Sequence, residues 1–455
     1  MRYYLAIIIG KMLNLASKIL IGYPSHKSGK FVIKICPDIY ARLEKPEKII
    51  GITGTNGKTT VTNLVVDSME KLGYKVLHNK EGANIEDGLV TALIEGAKLN
   101  GKTKFKYSVL ELDERYMPVL LENLHLDYLI ITNMLRDSIR RNAHVEFITE
   151  MLTDCISEDT TIIVNGDDIV ASSIGKNPDK KIYYSFDKQE KDTLKPFNRI
   201  RDIMVCPVCY EYLEFDYVKT NHIGKIYCPN GHLTNEKPDY TINTINEEEN
   251  TMTVTLRDNT KYDFPLISES MFNQYNEVAL IALLKELGHS NEEVADAVKD
   301  LKIVKSRYQE YPLQDGKKFI LNLTKGQNSF ACTNVFKYVK DYPGTKSIII
   351  ILDDTGDNKV ASETIMWHYD ADWDLFNDPD INQVIIGGPR SIDIYLKALL
   401  DGIPEDKVSY EIDELDTTKN LDYSSDTIFL LYDIYIQKIA WKIRDAILKE
   451  KGLEK

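Results

Sequence analysis

The chain has 455 residues, 43% of them hydrophobic, which is enough for about three packed domains. Its formal charge of −14, from 56 basic and 70 acidic residues, argues against a nucleic-acid-binding protein with a broad basic surface. Six cysteines in so long a chain do not indicate a disulfide framework, so a cytoplasmic protein is expected.

The N-terminal residues 1–45 predict a helical segment rather than a signal peptide. Their first apolar run is interrupted by Gly10 and Lys11. Apolar residues recur at the spacing of an amphipathic helix at Ile8, Met12, Leu15 and Ile19. Because no stretch reaches the 18 or so apolar residues that a membrane span requires, we expect no span.

Residues 49–60, IIGITGTNGKTT, predict a strand, a glycine-rich loop and a helix N-terminus in that order. Such a loop presents backbone N–H groups to phosphate, with Lys58 reaching the β- and γ-phosphates and the Thr59 hydroxyl binding Mg²⁺. The loop is shorter than the usual phosphate loop, since Ile52 stands where the first glycine would be. The residues expected at the nucleotide are Gly54, Thr55, Asn56, Gly57, Lys58, Thr59 and Thr60.

Acidic and amide side chains lie at the ends of two later strand-like segments. SVLELDERY places Glu111, Asp113 and Glu114 at the end of an apolar strand, and carboxylates at the C-terminal edge of a parallel sheet are placed to hold Mg²⁺. Glu111 is the first candidate beside Thr59, although either glutamate could bind the metal. Asn133 follows the segment LDYLIITNM. Because strand-like and helix-like segments alternate up to about residue 170, a doubly wound, mostly parallel sheet is expected.

Two cysteine motifs, CPVC at 206–209 and CPNGH at 228–232, are separated by 18 residues, as in a zinc ribbon. Gly231 stands where a fourth cysteine would be expected, so His232 is the expected fourth ligand and His222 the fallback. A closed four-ligand site predicts a structural zinc in a small β insertion at 198–240. A metal-free knuckle and redox chemistry at CPVC are the alternatives. The expected zinc ligands are Cys206, Cys209, Cys228 and His232.

These motifs resemble the Mur ligase superfamily, ATP-dependent enzymes that form amide bonds. GTNGKTT, ExDE and TNxxRD are similar to its shortened loop and strand-exit motifs, and FNQYN (272–276) and SRYQE (306–310) to its asparagine and arginine motifs. The resemblance implies ATP and Mg²⁺, with further nucleotide contacts from Asn84, Asn273, Asn276 and Arg307. It also implies an α/β fold with an ATP-binding domain at 46–305, which contains the ribbon, and a second α/β domain at 306–455.

The ribbon within the ATP-binding domain, together with KEGANIEDGLVTA (80–92) and IIGGPRSIDIYLKALL (385–400), resembles the amidating branch of this superfamily. Its members work with a GatD-type glutaminase and convert the D-glutamate α-carboxylate of the lipid II stem peptide to an amide. The resemblance therefore implies an acyl phosphate intermediate, with Lys58 and Glu111 as catalytic residues. It also implies that the protein acts at the inner face of the membrane.

WHYDADW (367–373) resembles the segment that supplies an acid to the glutaminase triad, which implies Asp370, with Asp372 as runner-up. Two alternatives stay open. One is an amino-acid-adding ligase of the Mur or folylpolyglutamate type. The other is a zinc-ribbon scaffold protein with a vestigial ATP loop.

Overall fold

A computed structural model describes residues 1–79, 83–137, 144–302, 308–324, 326, 328–352 and 365–452. The chain divides into two compact units. The first comprises Met1–Leu135, His144–Pro196 and Ile203–Ile303, and the second comprises Arg136–Ala143, Phe197–Asp202 and Val304–Lys455.

Helices and strands alternate in the first half of unit 1, as the periodicity of the sequence predicts. Its helices are α1 (Arg2–Ile21), α2 (His26–Ile35), α3 (Ile39–Arg42), α4 (Lys58–Lys71), α5 (Glu86–Gly96), α6 (Met117–Leu121), α7 (Val145–Cys155), α8 (Ile169–Ser173), α9 (Met271–Glu286) and α10 (Asn291–Val298). Its strands are β1 (Lys48–Thr53), β2 (Val76–His78), β3 (Tyr107–Glu111), β4 (Tyr128–Ile131), β5 (Thr161–Asn165), β6 (Lys181–Phe186), β7 (Glu214–Thr220), β8 (Ile223–Tyr227), β9 (Tyr240–Asn246), β10 (Thr251–Thr255) and β11 (Lys261–Pro265).

Within the described part of unit 1, nine strands form one sheet in the order β11-β10-β9-β6-β5-β4-β1-β3-β2. Neighbours from β2 through β6 to β9 are parallel, and β10 and β11 continue the sheet antiparallel. The expected parallel sheet is confirmed. Because β1 lies between β3 and β4, the loop after β1 meets the carboxyl ends of both neighbours at one edge.

The β-rich insertion lies between β6 and β9. Its strands β7 and β8 pair antiparallel in a separate two-stranded sheet. Since β6 and β9 are themselves neighbours, the main sheet continues past the insertion without a gap.

Helix α1 differs from the sequence expectation. Ile8, Met12, Leu15 and Ile19 are exposed, whereas the opposite face, which includes Ala6, Ile7, Gly10 and Asn14, is buried. The segment Arg2–Leu20 is also long and apolar enough to cross a membrane by length and composition, contrary to the expectation that no stretch would qualify. Only 28% of it is buried.

Unit 2 is the second α/β domain expected from the sequence. Its helices and strands are β12 (Tyr308–Pro312), β13 (Lys318–Leu323), α11 (Ser329–Asp341), β14 (Lys346–Ile351), β15 (Ile381–Gly387), α12 (Ser391–Leu400), β16 (Val408–Glu411), β17 (Thr427–Tyr432) and α13 (Gln437–Lys451). The sheet order is β12-β13-β17-β14-β15-β16, parallel except for β12.

Glu277 on α9 places a carboxyl group in the core of unit 1. Its side chain is fully buried, Oε2 accepts a hydrogen bond from the Ile267 backbone N–H at 3.0 Å, and Oε1 has no partner among the described residues. Burial raises the pKa of Glu277 to about 8, although the bond from Ile267 acts in the opposite direction. The folded protein therefore keeps this carboxyl protonated at a pH where the unfolded chain ionises it.

We expect Glu277→Gln to be more stable than the wild type at about pH 8 and nearly equal to it at about pH 4. In the wild type the unfolded carboxyl releases its proton first, so stability falls as pH rises from the ordinary pKa to the raised one. The neutral amide removes this loss and keeps an oxygen for Ile267. Urea unfolding at both pH values measures the difference, with the exposed Glu248→Gln as control. A pH-independent difference for Glu277→Gln would contradict the burial of an ionisable group.

Candidate functional site

The glycine-rich loop joins β1 to α4, and Lys58, Thr59 and Thr60 are the first residues of that helix. Gly54 and Gly57 have φ angles of +126° and +90°, which side chains with a Cβ rarely adopt. A Cβ at Gly54 would lie 2.2 Å from Thr132 Oγ1. The loop therefore passes so close to Thr132 that only glycine fits at Gly54. The N–H groups of the α4 N-terminus lie at the end of this loop and can bind an anion.

Residues that follow β4 hydrogen-bond the glycine-rich loop and fix its position. Asn133 Oδ1 accepts from the Asn56 N–H at 3.1 Å, and Asn133 Nδ2 donates to the Asn56 carbonyl at 2.9 Å. Thr132 Oγ1 donates to the same carbonyl at 2.7 Å, and Thr55 Oγ1 donates to the Leu135 carbonyl at 2.9 Å. The Asn133 side chain thus positions the glycine-rich loop by binding the backbone of Asn56.

Lys58 is half-buried and lies beside two glutamates. Its Nζ lies 2.6 Å from the Gly54 carbonyl and 2.8 Å from Glu114 Oε1, and Glu114 is 2% exposed. Burial alone would lower the pKa of Lys58, but the charge and hydrogen bond of Glu114, with the charge of Glu111, raise the pKa overall. Lys58 is therefore a charged ammonium at the mouth of the loop.

One of the two carboxylate oxygens of Glu111 makes no hydrogen bond with the described residues. Oε1 accepts from Asn84 Nδ2 at 3.0 Å, while the buried Oε2 has no hydrogen-bond partner among the described residues. Burial raises the pKa of Glu111, and the nearby Thr59 side chain and Lys58 charge act in the opposite direction. An unpartnered carboxylate oxygen near a threonine hydroxyl is a donor set that suits a magnesium ion.

The asparagine motif lies on α9. Asn276 is buried, and a Cβ at Gly57 would lie 2.8 Å from its Oδ1, so Asn276 contacts the glycine-rich loop. Asn273 donates from Nδ2 to Ser268 Oγ at 3.1 Å and is half-buried. Arg307 lies outside the described residues.

The ribbon motifs bring together the ligand atoms of Cys206, Cys209, Cys228 and His232, which all lie within 4.8 Å of one another. Gly231 has a φ of +76°, so the position expected for the fourth cysteine is a left-handed turn residue and the next side chain points to the cluster. Hydrogen bonds, first from the Glu211 backbone and then from Asn230, lower the pKa of Cys209 to about 6. Three cysteines and one histidine are a ligand set for tetrahedral zinc.

His222 is not part of this cluster. It is 1% exposed, and its Nε2 lies 3.0 Å from Asp168 Oδ1. The fallback ligand is therefore engaged elsewhere in unit 1.

The two candidate acids Asp370 and Asp372, both in unit 2, have different surroundings. Asp370 ends a short 3₁₀ helix, its side chain is 28% exposed, and Oδ2 lies 3.4 Å from Arg136 Nη1. Asp372 is buried and accepts from the Arg199 backbone N–H at 3.1 Å. Burial raises the pKa of Asp372 to about 6. Asp370 has the carboxylate that another molecule could reach.

Two families match the chain, and their order agrees with the two units. The Mur ligase middle domain matches residues 52–234, and the MurT ligase C-terminal family matches residues 326–435.

The chain is homologous to the Mur ligases over a segment of each unit.

Similar Mur ligase relatives cover nearly all of the chain. The lipid II isoglutaminyl synthase (glutamine-hydrolyzing) subunit MurT of Staphylococcus aureus strain COL is 27% identical over 431 residues, which is 94% of both chains. The subunit of the same name from Streptococcus pneumoniae strain ATCC BAA-255 / R6 is 26% identical, over 86% of this chain and 85% of that one. The expected relationship is confirmed, and the chain is a ligase.

Solved Mur ligase structures share the fold. A pseudomurein peptide ligase type C from Methanothermus fervidus superposes with a TM-score of 0.67 at 17% identity, over 92% of this chain and 84% of that one. The MurF ligase from Thermotoga maritima in complex with ADP gives a TM-score of 0.55 at 13% identity, over 94% and 86%.

Asp168 is a further residue that supports the glycine-rich loop, and it was not predicted from the sequence. Its Oδ2 accepts from the Met134 N–H at 2.7 Å, directly after Asn133, and its Oδ1 accepts from the Val170 N–H at 3.1 Å. His222, at the turn between β7 and β8, contacts the same carboxylate. The signal was the acidic pair Asp167 and Asp168 after β5, since Asp168 follows the end of β5 by three residues as Glu114 follows the end of β3.

Gly57→Ala should destabilise the protein more than Gly73→Ala does. Gly73 also has a positive φ of +86°, but a Cβ added there would have no heavy atom within 4 Å. Both changes cost about 1–2 kcal/mol for the left-handed backbone. Only Gly57→Ala also displaces Asn276. Urea unfolding of the two variants, and of Gly57→Ala combined with Asn276→Ala, measures this coupling. Equal losses and no coupling would show that Asn276 does not contact the loop.

Proposed function

We propose that the chain is the ligase subunit of an enzyme that converts the D-glutamate α-carboxylate of the lipid II stem peptide to D-isoglutamine. The enzyme uses ATP and ammonia, and the ammonia comes from a GatD-type glutaminase subunit at the cytoplasmic face of the membrane. The observation that carries this proposal is the presence of a Mur ligase middle domain and a MurT C-terminal segment in one chain. A MurT subunit that is similar over 94% of both chains supports it.

A carboxylate is a poor electrophile and must be activated before an amine can replace its oxygen. A carboxylate oxygen attacks the γ-phosphorus of ATP, the bond to ADP breaks, and an acyl phosphate forms. The N–H groups at the start of α4 and the Lys58 ammonium bind the phosphates and stabilise the charge in transfer. Ammonia then attacks the acyl carbon, phosphate leaves, and the nitrogen loses a proton.

Thr59 and Glu111 would hold Mg²⁺ beside those phosphates. The unpartnered Oε2 of Glu111 fits this role, and Asn84 fixes the carboxylate by donating to its other oxygen. A magnesium ion would neutralise part of the phosphate charge. Glu114 has a separate task, because its ion pair keeps Lys58 charged inside the protein.

The cysteines support a separate source of ammonia. A class I glutaminase needs a reactive thiolate. Outside the ribbon, Cys36 and Cys332 are buried, and burial raises the pKa of Cys36. Burial also raises the pKa of Cys155 to about 11. Neither Cys36 nor Cys155 is an activated thiol, and Cys332 is enclosed in the core of unit 2, which supports a partner subunit.

A surface beside Asp370 would suit that partner. Met366 and Tyr369, in the same 3₁₀ helix, are 57% and 46% exposed. Helix α12 packs against this segment and exposes Leu396 and Leu400. An accessible carboxylate among exposed apolar side chains is suited to orient the histidine of a docked glutaminase.

The decisive assay combines the purified chain with ATP, lipid II and either ammonia or the glutaminase with glutamine. We expect a product in which one hydroxyl is replaced by one amino group, detected by mass spectrometry. Lys58→Ala should lower the rate at least about 100-fold, because the phosphates lose their charge partner. Lys75→Ala, an exposed lysine beyond α4, is the control. A product heavier by an amino acid residue would instead indicate a residue-adding ligase. If the chain consumes no ATP and forms no product, it is a scaffold protein.

Asp370→Asn should abolish glutamine-dependent amidation and leave ammonia-dependent amidation unchanged, because the acid acts on the partner's chemistry. We expect a loss of at least about 100-fold in the first assay. Asp374→Asn, an exposed acid in the next 3₁₀ helix, is the control. Equal losses in both assays would refute the triad role of Asp370.

Zinc in the Cys₃His cluster should depend on Cys228. We expect about one zinc per chain in the wild type and none in Cys228→Ala, with a lower melting temperature, because a closed site contributes to folding stability. Cys155→Ala, outside the cluster, should keep its metal. Unchanged zinc in Cys228→Ala on elemental mass spectrometry would exclude the site.

A further inference from the structure

Helix α1 carries an apolar stripe that faces solvent. Tyr4, Ile8, Met12, Leu15 and Ile19 recur every three or four residues and are between 43% and 76% exposed. Side chains at this spacing lie on one face of a helix. The stripe is roughly 22 Å long at 1.5 Å per residue. Exposed apolar surfaces of this kind mark interaction sites.

The opposite face of α1 is fixed to the body of unit 1. Asn14 Nδ2 donates to the Thr91 carbonyl at 3.2 Å, and Asn14 Oδ1 accepts from Ser28 Oγ at 2.5 Å, both in buried surroundings. A Cβ at Gly10 would lie 2.9 Å from Ile94 Cδ1, so α1 and α5 approach closely. Crossing a bilayer would break these contacts. A helix with one face packed and the other apolar is instead suited to lie in the plane of an interface.

The charge around the stripe points to the kind of surface it meets. Residues 1–37 contain six Lys and Arg and no Asp or Glu, in a chain with a net charge of −14. Helix α2 packs against α1 and exposes Lys27, Lys30 and Lys34 together with Phe31. Anionic lipid headgroups attract such local clusters of lysine. A soluble anionic partner would not require the long apolar stripe.

We propose that the face formed by α1 and α2 docks on the surface of an anionic lipid bilayer. The side chains of the α1 stripe insert among the upper acyl chains, and the α2 lysines lie at the headgroups. The purpose of this docking rests on the proposed function, since a lipid-linked substrate is presented at a membrane surface. The binding itself needs no turnover, so it can be tested separately.

The test is co-sedimentation of the full chain with vesicles of phosphatidylcholine alone or mixed with phosphatidylglycerol. We expect binding to the mixed vesicles that weakens at high salt. Leu15→Glu combined with Ile19→Glu should weaken it about tenfold or more, because two inserted side chains become charged. Phe147→Glu, at an exposed apolar residue of α7, should bind as the wild type does. Charge reversal at Lys27, Lys30 and Lys34 should remove the preference for phosphatidylglycerol.

Three results would overturn the proposal. They are no binding to either vesicle, equal binding by the double variant, and loss of a dimer or of glutaminase association in the double variant. The last would assign the stripe to a protein partner. Amidation of a lipid-free stem peptide by the double variant should match the wild type. If vesicle binding fails while that amidation persists, only the membrane proposal is lost; if no chain amidates the peptide, the proposed function is lost.

Discussion

A charged lysine held largely inside the protein is the constraint on which the proposed ATP site depends. The side chain of Lys58 is only 14% exposed, and removal from water favours the neutral amine. Glu114, 3% exposed at 2.8 Å, reverses that preference. Breaking such a pair leaves an uncompensated buried charge, which is strongly destabilising. A positive charge close to the amides of the α4 N-terminus is what the transfer of a phosphoryl group requires.

Several successive hydrogen bonds support the glycine-rich loop that precedes Lys58. Asn133 and Thr132 bind the backbone of Asn56, and Asp168 fixes the neighbouring Met134. His222, in the β insertion, contacts Asp168. The insertion is therefore connected to the nucleotide loop by a short chain of hydrogen bonds within unit 1. A zinc ion bound by the Cys₃His cluster would have a structural purpose, since it would hold together another part of the same insertion.

Much of the fold could be predicted because its signals are local. The strand β1, the loop and the helix α4 are each predicted, in order, by isoleucines, by glycines and by helical periodicity. Gly231 stands where a fourth cysteine is expected, which predicts the next residue, His232, as the fourth ligand. The contact between Asp168 and His222 could not be found in this way, since 54 residues separate them. The exposed side of α1 was also unpredictable. Both of its faces carry apolar residues, and the helix that covers one of them, α5, is distant in sequence.

The central claim is that this site transfers the terminal phosphoryl group of ATP to the substrate carboxylate. It is tested most directly with a substrate whose α-carboxylate oxygens are ¹⁸O. If an acyl phosphate forms and ammonia replaces it, the released inorganic phosphate carries one ¹⁸O atom from the substrate, as mass spectrometry would show. Amide product accompanied by phosphate without ¹⁸O would contradict the claim.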